Sequence, residues 1–143
     1  MLKKNPFWPD DVTHATIVRG DSFLPDFPYT PNTLTHLSLE GGVVLGALDK
    51  DFYSKAKKLT HLYMESDRSL FIASFPPNIT HLIFGDMFNS SKINDLPHSL
   101  VKLKFGNQFN FPIDNLPPNL KKLSLGRKFN QPLTCSTRKR VWS

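Results

Sequence analysis

The stretch 116–133, LPPNLKKLSLGRKFNQPL, decides the fold, because the chain writes it again at 96–113 as LPHSLVKLKFGNQFNFPI and at 75–93 as FPPNITHLIFGDMFNSSKI. Each copy is built on an apolar-x-x-apolar-x-apolar core: Leu120, Leu123, Leu125; Leu100, Leu103, Phe105; Ile79, Leu82, Phe84. Working upstream, fainter copies are Leu59, Leu62, Met64; Leu34, Leu37, Leu39; and Val12, Ala15, Ile17. The first anchors are separated by 22, 25, 20, 21 and 20 residues. Self-similarity at such a period is the mark of a solenoid. One repeat cannot bury its apolar face alone, so six must stack and share a core.

The copy Thr80-His81-Leu82-Ile83-Phe84 alternates as a strand does, with Leu82 and Phe84 on one face and His81 and Ile83 on the other. Glycine follows the strand at Gly85, Gly106 and Gly126, and the prolines of 76–77 and 117–118 precede the next copies. Proline removes backbone donors and fixes φ, so those stretches are extended or turned, not helical. Twenty residues with two such breaks leave no space for a long helix. The expected fold is a solenoid of about six short parallel strands on one face. The other side is expected to be mostly irregular or single-turn structure, with little helix. At about 4.8 Å per rung the body is roughly 25–30 Å long.

A second landmark trails each later strand: Phe88-Asn89, Phe109-Asn110 and Phe129-Asn130. The phenylalanines are expected to stack inside as part of the repeat core. The asparagines, assigned to the same core, are expected to bond backbone groups of the turn, because a buried polar group needs partners. The last two copies add Pro112 and Pro132, followed by Ile113 and Leu133. This pattern resembles the FNIP repeat over 75–133, and more faintly over 8–74, in the version abundant in social amoebae and in giant viruses of amoebae. The resemblance implies a leucine-rich-repeat-like solenoid. Many members of the family carry an F-box upstream. The few residues ahead of the first repeat here are expected to hold none, so no ubiquitin-ligase link is drawn.

The 143 residues are expected to form one domain: a cap at 1–11, repeats at about 12–133 and a basic tail at 134–143. Phe7, Trp8 and Pro9 are placed to cover the first rung, and Phe23, Leu24, Phe27 and Tyr29 to fill its back. Asp51 to Lys58 suits a short helix. Trp142 either folds back as a lid or leaves the last rung open to a partner or a second copy. Cys135 is the single cysteine, which rules out a disulfide within the chain and points to a reducing compartment, cytoplasmic or nuclear. No apolar run reaches the length of a membrane span, and no signal-peptide core follows Met1, so no membrane partner is expected.

Charge is uneven. Nine of the 18 lysines and arginines lie in 101–143, against Asp114 as the one acid there. Lys102, Lys104, Lys121, Lys122 and Arg138-Lys139-Arg140 make that end of the coil basic, a fit for a polyanion such as nucleic acid.

His14, His36, His61 and His81 occupy one repeat position, each after a threonine, and Lys102 and Lys122 continue it. Stacked strands would turn them into a column. Imidazole is a good ligand for zinc or copper, yet a tetrahedral ion needs converging ligands and a ladder presents them in parallel, so no metal or other cofactor is assigned. The neighbouring outward column reads Thr16, Ser38, Tyr63, Ile83, Lys104, Ser124. Its variety is what a binding surface would show. No nucleophile elbow, P-loop or zinc-protease motif is present. The chain is therefore read as a non-enzymatic scaffold that binds another protein through His36, Ser38, His61, Tyr63, His81, Ile83, Lys102, Lys104, Lys122 and Ser124. The alternative is polyanion binding at the basic C-terminal repeats and tail.

Overall fold

Each apolar-x-apolar pair becomes the inward half of a short strand, and the strands stack in chain order. The computed structural model describes residues 9–18, 31–41, 50–65, 75–91, 93 and 95–134. The strands are β1 (His14–Val18), β2 (His36–Glu40), β3 (His61–Met64), β4 (His81–Phe84), β5 (Lys102–Lys104) and β6 (Lys122–Ser124). They form one six-stranded parallel sheet in the order β1-β2-β3-β4-β5-β6. Every pairing keeps repeat register: Ala15, Leu37, Leu62, Leu82, Leu103 and Leu123 are successive partners. A slip by one residue would turn the apolar set to solvent, so the buried face holds that register.

The interior is made of the anchors read from the repeat. Leu34, Leu59, Ile79 and Leu100 are fully buried, Leu120 nearly so, and Leu39, Met64, Phe84 and Phe105 lie beneath the strands. Phe88 and Phe109 are buried as well and bring a second layer of rings. They stand about one rung and a quarter apart, with centroids at 6.1 Å, and their closest neighbours are the strand phenylalanines of their own rungs. Phe84–Phe88 is stacked at 4.1 Å and Phe105–Phe109 at 3.9 Å. Leu125 and Phe129, in the last described rung, are only partly buried. They have the preceding rung on one side, with Phe129 6.1 Å from Phe109.

The asparagines correct the expected burial, while Asn89 and Asn110 do bond backbone groups of the turns as expected. Asn89 and Asn130 are exposed and Asn110 is half-buried, so none belongs to the core. Their bonds run between rungs: the Asn110 amide donates to Asn89 Oδ1 at 3.2 Å, and the Asn130 amide to Asn110 Oδ1 at 3.0 Å. A second ladder lies three residues earlier, where Asn107 N donates to Asp86 Oδ1 and Arg127 N to Asn107 Oδ1. Side-chain oxygens here answer backbone donors that a turn leaves without a partner in its own rung.

Two turns bend every later rung. Ahead of each anchor, a proline carbonyl accepts from the anchor amide three residues on: Pro9 to Val12, Pro31 to Leu34, Pro76 to Ile79, Pro97 to Leu100 and Pro117 to Leu120. In the third rung Ala56 takes the proline's place. After the strand, Gly85, Gly106 and Gly126 accept from the amides of Phe88, Phe109 and Phe129. Glycine is needed there for close approach: a Cβ on Gly106 would run into the Gly85 carbonyl, and one on Gly126 into the Gly106 carbonyl.

The one described helix, α1 (Lys50–Lys55), lies in the longest repeat; it starts one residue before the stretch expected to be helical, Asp51 to Lys58, and ends three residues short of it. Phe52 and Ala56, one turn apart, are buried against the core. The expected caps Phe7 and Trp8, the fillers Phe23, Leu24, Phe27 and Tyr29, and Cys135, Arg138, Lys139, Arg140 and Trp142 lie outside the described residues. Among the described residues no helix is long and apolar enough to cross a membrane.

Candidate functional site

In-register strands give the sheet's outer face two parallel columns. The first is His14, His36, His61, His81, Lys102, Lys122; the second is Thr16, Ser38, Tyr63, Ile83, Lys104, Ser124. All ten residues assigned to an interaction face from the sequence therefore sit on it. Six of them, His36, Ser38, His61, Tyr63, His81 and Ile83, also line one open groove of about 340 Å³ that runs over β1 to β4. Lys102, Lys104, Lys122 and Ser124 lie beyond its end, on β5 and β6.

The four imidazoles are stacked face to face, which the repeat position alone did not reveal. Ring centroids are 4.1, 4.0 and 4.1 Å apart from His14 to His81, with planes inclined by 12, 17 and 14°. Each ring is held by the threonine before it: Oγ1 of Thr13, Thr35, Thr60 and Thr80 lies 2.8–3.0 Å from Nδ1 of the following histidine. The same hydroxyls of Thr35, Thr60 and Thr80 reach the threonine carbonyl of the rung below, at 3.0, 3.4 and 3.3 Å.

The proton on each hydroxyl can serve only one of those two acceptors. Every threonine carbonyl already accepts two amides; that of Thr35, for example, takes Thr60 N and His61 N, both at 3.0 Å. The hydroxyls of Thr35, Thr60 and Thr80 reach such a carbonyl as a further donor, and the tautomer of each ring sets the direction of its bond to Nδ1.

The stack resists charge. Burial lowers the pKa of His36, and the charges on His14 and His81 lower it further. His61 is lowered by burial, then by His81, His36, His14 and Lys102. His81 is lowered by burial and then by Lys102. On the other side of the groove, burial raises the Tyr63 hydroxyl, and Glu65, Glu40 and Asp86 add to the shift. The face is thus divided, with the imidazoles, Lys102 and Lys122 along one margin, Lys104 in the second column and carboxylates beyond that column. Ser38 Oγ donates to Glu40 Oε1 at 3.3 Å and ties the second column to that acidic margin.

The stack also decides what the histidines cannot do together. Lone pairs of stacked rings lie in parallel planes and do not converge on one ion. Among the described residues no group of three or more His, Cys, Asp or Glu side chains could hold a metal ion.

The signal for the threonine brace was present in the recurring Thr-His pair. What the sequence did not disclose is that the hydroxyls of Thr35, Thr60 and Thr80 each span two rungs. The close glycine approach and the Asp86-Asn107-Arg127 ladder were also missed, though both recur at one repeat position.

No curated protein and no solved structure matches the chain. The FNIP Repeat family matches at residues 67–108 and 109–136, which carry β4, β5 and β6. The first three strands continue the same sheet in the same register. With this recurrence of rung, turn and Phe-Asn ladder, the chain is an FNIP repeat protein.

Proposed function

We propose that the chain is a non-enzymatic repeat scaffold that binds another protein through the outer face of its sheet. The observation that supports this most is the groove over β1 to β4, which is open to solvent and floored by backbone in unbroken register. Its walls are side chains whose partners already hold them, His36, His61 and His81 by threonines and by one another. Little ordering entropy then opposes association. Tyr63, with a large apolar body and a polar tip, is the type of residue that anchors protein interfaces. The single cysteine, Cys135, fits work in a reducing compartment, cytoplasmic or nuclear.

Nucleic acid on the basic rungs has less support. Lys102, Lys104 and Lys122 would attract phosphates, but bases need aromatic faces to stack on. The histidine rings use their faces on one another.

The test is affinity capture from the source cell with the wild-type chain and with His61→Ala/Tyr63→Ala. A specific protein partner should be lost with the double variant while the melting temperature changes by no more than a few degrees. A partner that stays bound to the folded double variant would remove this face from consideration.

A further inference from the structure

We propose that the threonine–histidine column is a proton-operated receptor for a carboxylate-rich segment of the partner, an inference that rests on this face being a protein-binding surface. It begins with the hydroxyls. In a neutral imidazole the tautomer sets whether Nδ1 accepts from Oγ1 or donates to it. When the imidazole gains a proton, Nδ1–H donates to Oγ1 and the hydroxyl hydrogen goes to the carbonyl of the rung below. That carbonyl stands 3.0 Å from Thr35 Oγ1, 3.4 Å from Thr60 Oγ1 and 3.3 Å from Thr80 Oγ1. The threonine–histidine bond is kept when the ring is charged. His36, His61 and His81 are therefore braced in both protonation states.

Burial opposes charging first, and repulsion adds to it. Neighbouring rings are 4.0–4.1 Å apart, and Lys102 follows His81 in register. A chain of carboxylates laid along the column would offset that repulsion. By linkage, protons would then strengthen its binding and its binding would draw protons in. Lys102 and Lys122 extend the column with charges that persist at neutral pH, and neither column contains an acid. The acids that act on Tyr63 are Glu40 at the end of β2, Glu65 after β3 and Asp86 after β4. They leave the histidine margin as the track for an anionic chain. A protonated imidazole carries N–H on both ring nitrogens, which suits carboxylates, and the adjoining groove has room for the peptide's other side chains.

The probe is a fluorescein-labelled alternating Glu-Ala peptide of about 8 residues, which spans about 25 Å when extended. Its binding to the full chain is followed by anisotropy at fixed low ionic strength, near neutrality and about two pH units below. The peptide should bind about tenfold more tightly at the lower pH, within the usual range of coupling between two ligands. His36→Gln/His61→Gln should erase most of that gain, so that the two pH values give nearly the same affinity. Lys102→Gln/Lys122→Gln should weaken binding at both pH values and keep the gain. Histidine titrations followed by NMR on the wild-type chain give a reading that no variant can confuse: the peptide should raise the pKa of His36, His61 and His81.

Equal affinity at the two pH values, or unmoved histidine titrations with peptide bound, overturns the proposal. So does a labelled oligothymidylate that binds as tightly with the same histidine dependence, since the column would then read phosphate polymers. If the peptide fails but the cellular partner is still lost with His61→Ala/Tyr63→Ala, this inference falls and the scaffold reading stands.

Discussion

Phe109 and Phe129 hold the same letter in successive repeats, and their truncation should have very different consequences. Phe109 is fully buried. Its ring stacks on Phe105 at 3.9 Å and sits between Phe88 and Phe129, both at 6.1 Å, with Phe111 tilted against it at 6.3 Å. Phe109→Ala removes a whole ring from a site walled by other rings of fixed position, so the cavity cannot readily collapse. Such truncations cost about 3–5 kcal/mol, and stacking lost beyond the area term adds to the upper part of that range. Phe129 is only partly buried and touches the stack from one side. Phe129→Ala should cost about half as much, roughly 1.5–2.5 kcal/mol. Equilibrium urea unfolding measures both, followed by circular dichroism and by tyrosine and tryptophan fluorescence; coincident curves license a two-state fit. Because a domain of this kind has about 5–15 kcal/mol in total, Phe109→Ala should move the midpoint far enough to be unmistakable. A loss below about 1 kcal/mol for Phe109→Ala, or equal losses for the two variants, would mean that the rings do not form the layered interior described.

Two further outcomes follow from other parts of the rung. Gly106→Ala should destabilise by about 2 kcal/mol or more, because the new Cβ meets the Gly85 carbonyl and the Asp86 backbone and one rung must shift; a neutral effect in the same urea experiment would contradict the close packing of turns. Stability should also depend on pH through the histidine stack. The folded-state pKa values of His36, His61 and His81 lie below the ordinary 6.5, so the folded chain binds fewer protons than the unfolded one. Their contribution is complete above about pH 6.5 and is lost as pH falls through that value toward the lowered ones. Without an anionic ligand, the wild type should lose more stability than His36→Gln/His61→Gln between neutrality and mild acidity; identical slopes for the two proteins would refute it.

The rungs could be read from the letters because the same physical demand recurs at each one. Leu82, Leu103 and Leu123 had to face inward for any of them to be covered, and that demand fixes period, strand and register together. Phe109 was legible for the same reason. Asn89, Asn110 and Asn130 misled because regular recurrence was taken as burial, whereas these amides recur to satisfy a backbone donor one rung away on the surface. Of the candidate site, the membership of the two columns follows from alternation alone. The contact between His36 and His61 does not, since it depends on threonine hydroxyls that hold each ring flat against the next. The division of charge across the groove was hidden too, because Glu40, Glu65 and Asp86 acquire a common side only when strands of different repeats lie together.

The step from the second rung to the third is 25 residues and the later steps are 20 or 21, yet His36 meets His61 as squarely as His61 meets His81. The helix α1 lies within that longer step, and the register of the outer face is unbroken across it. Length can therefore change in one place while the display on the outer face keeps its spacing. Such a molecule can be rewritten a line at a time: exchanging one rung swaps a single pair of outward letters and leaves the lines above and below in print.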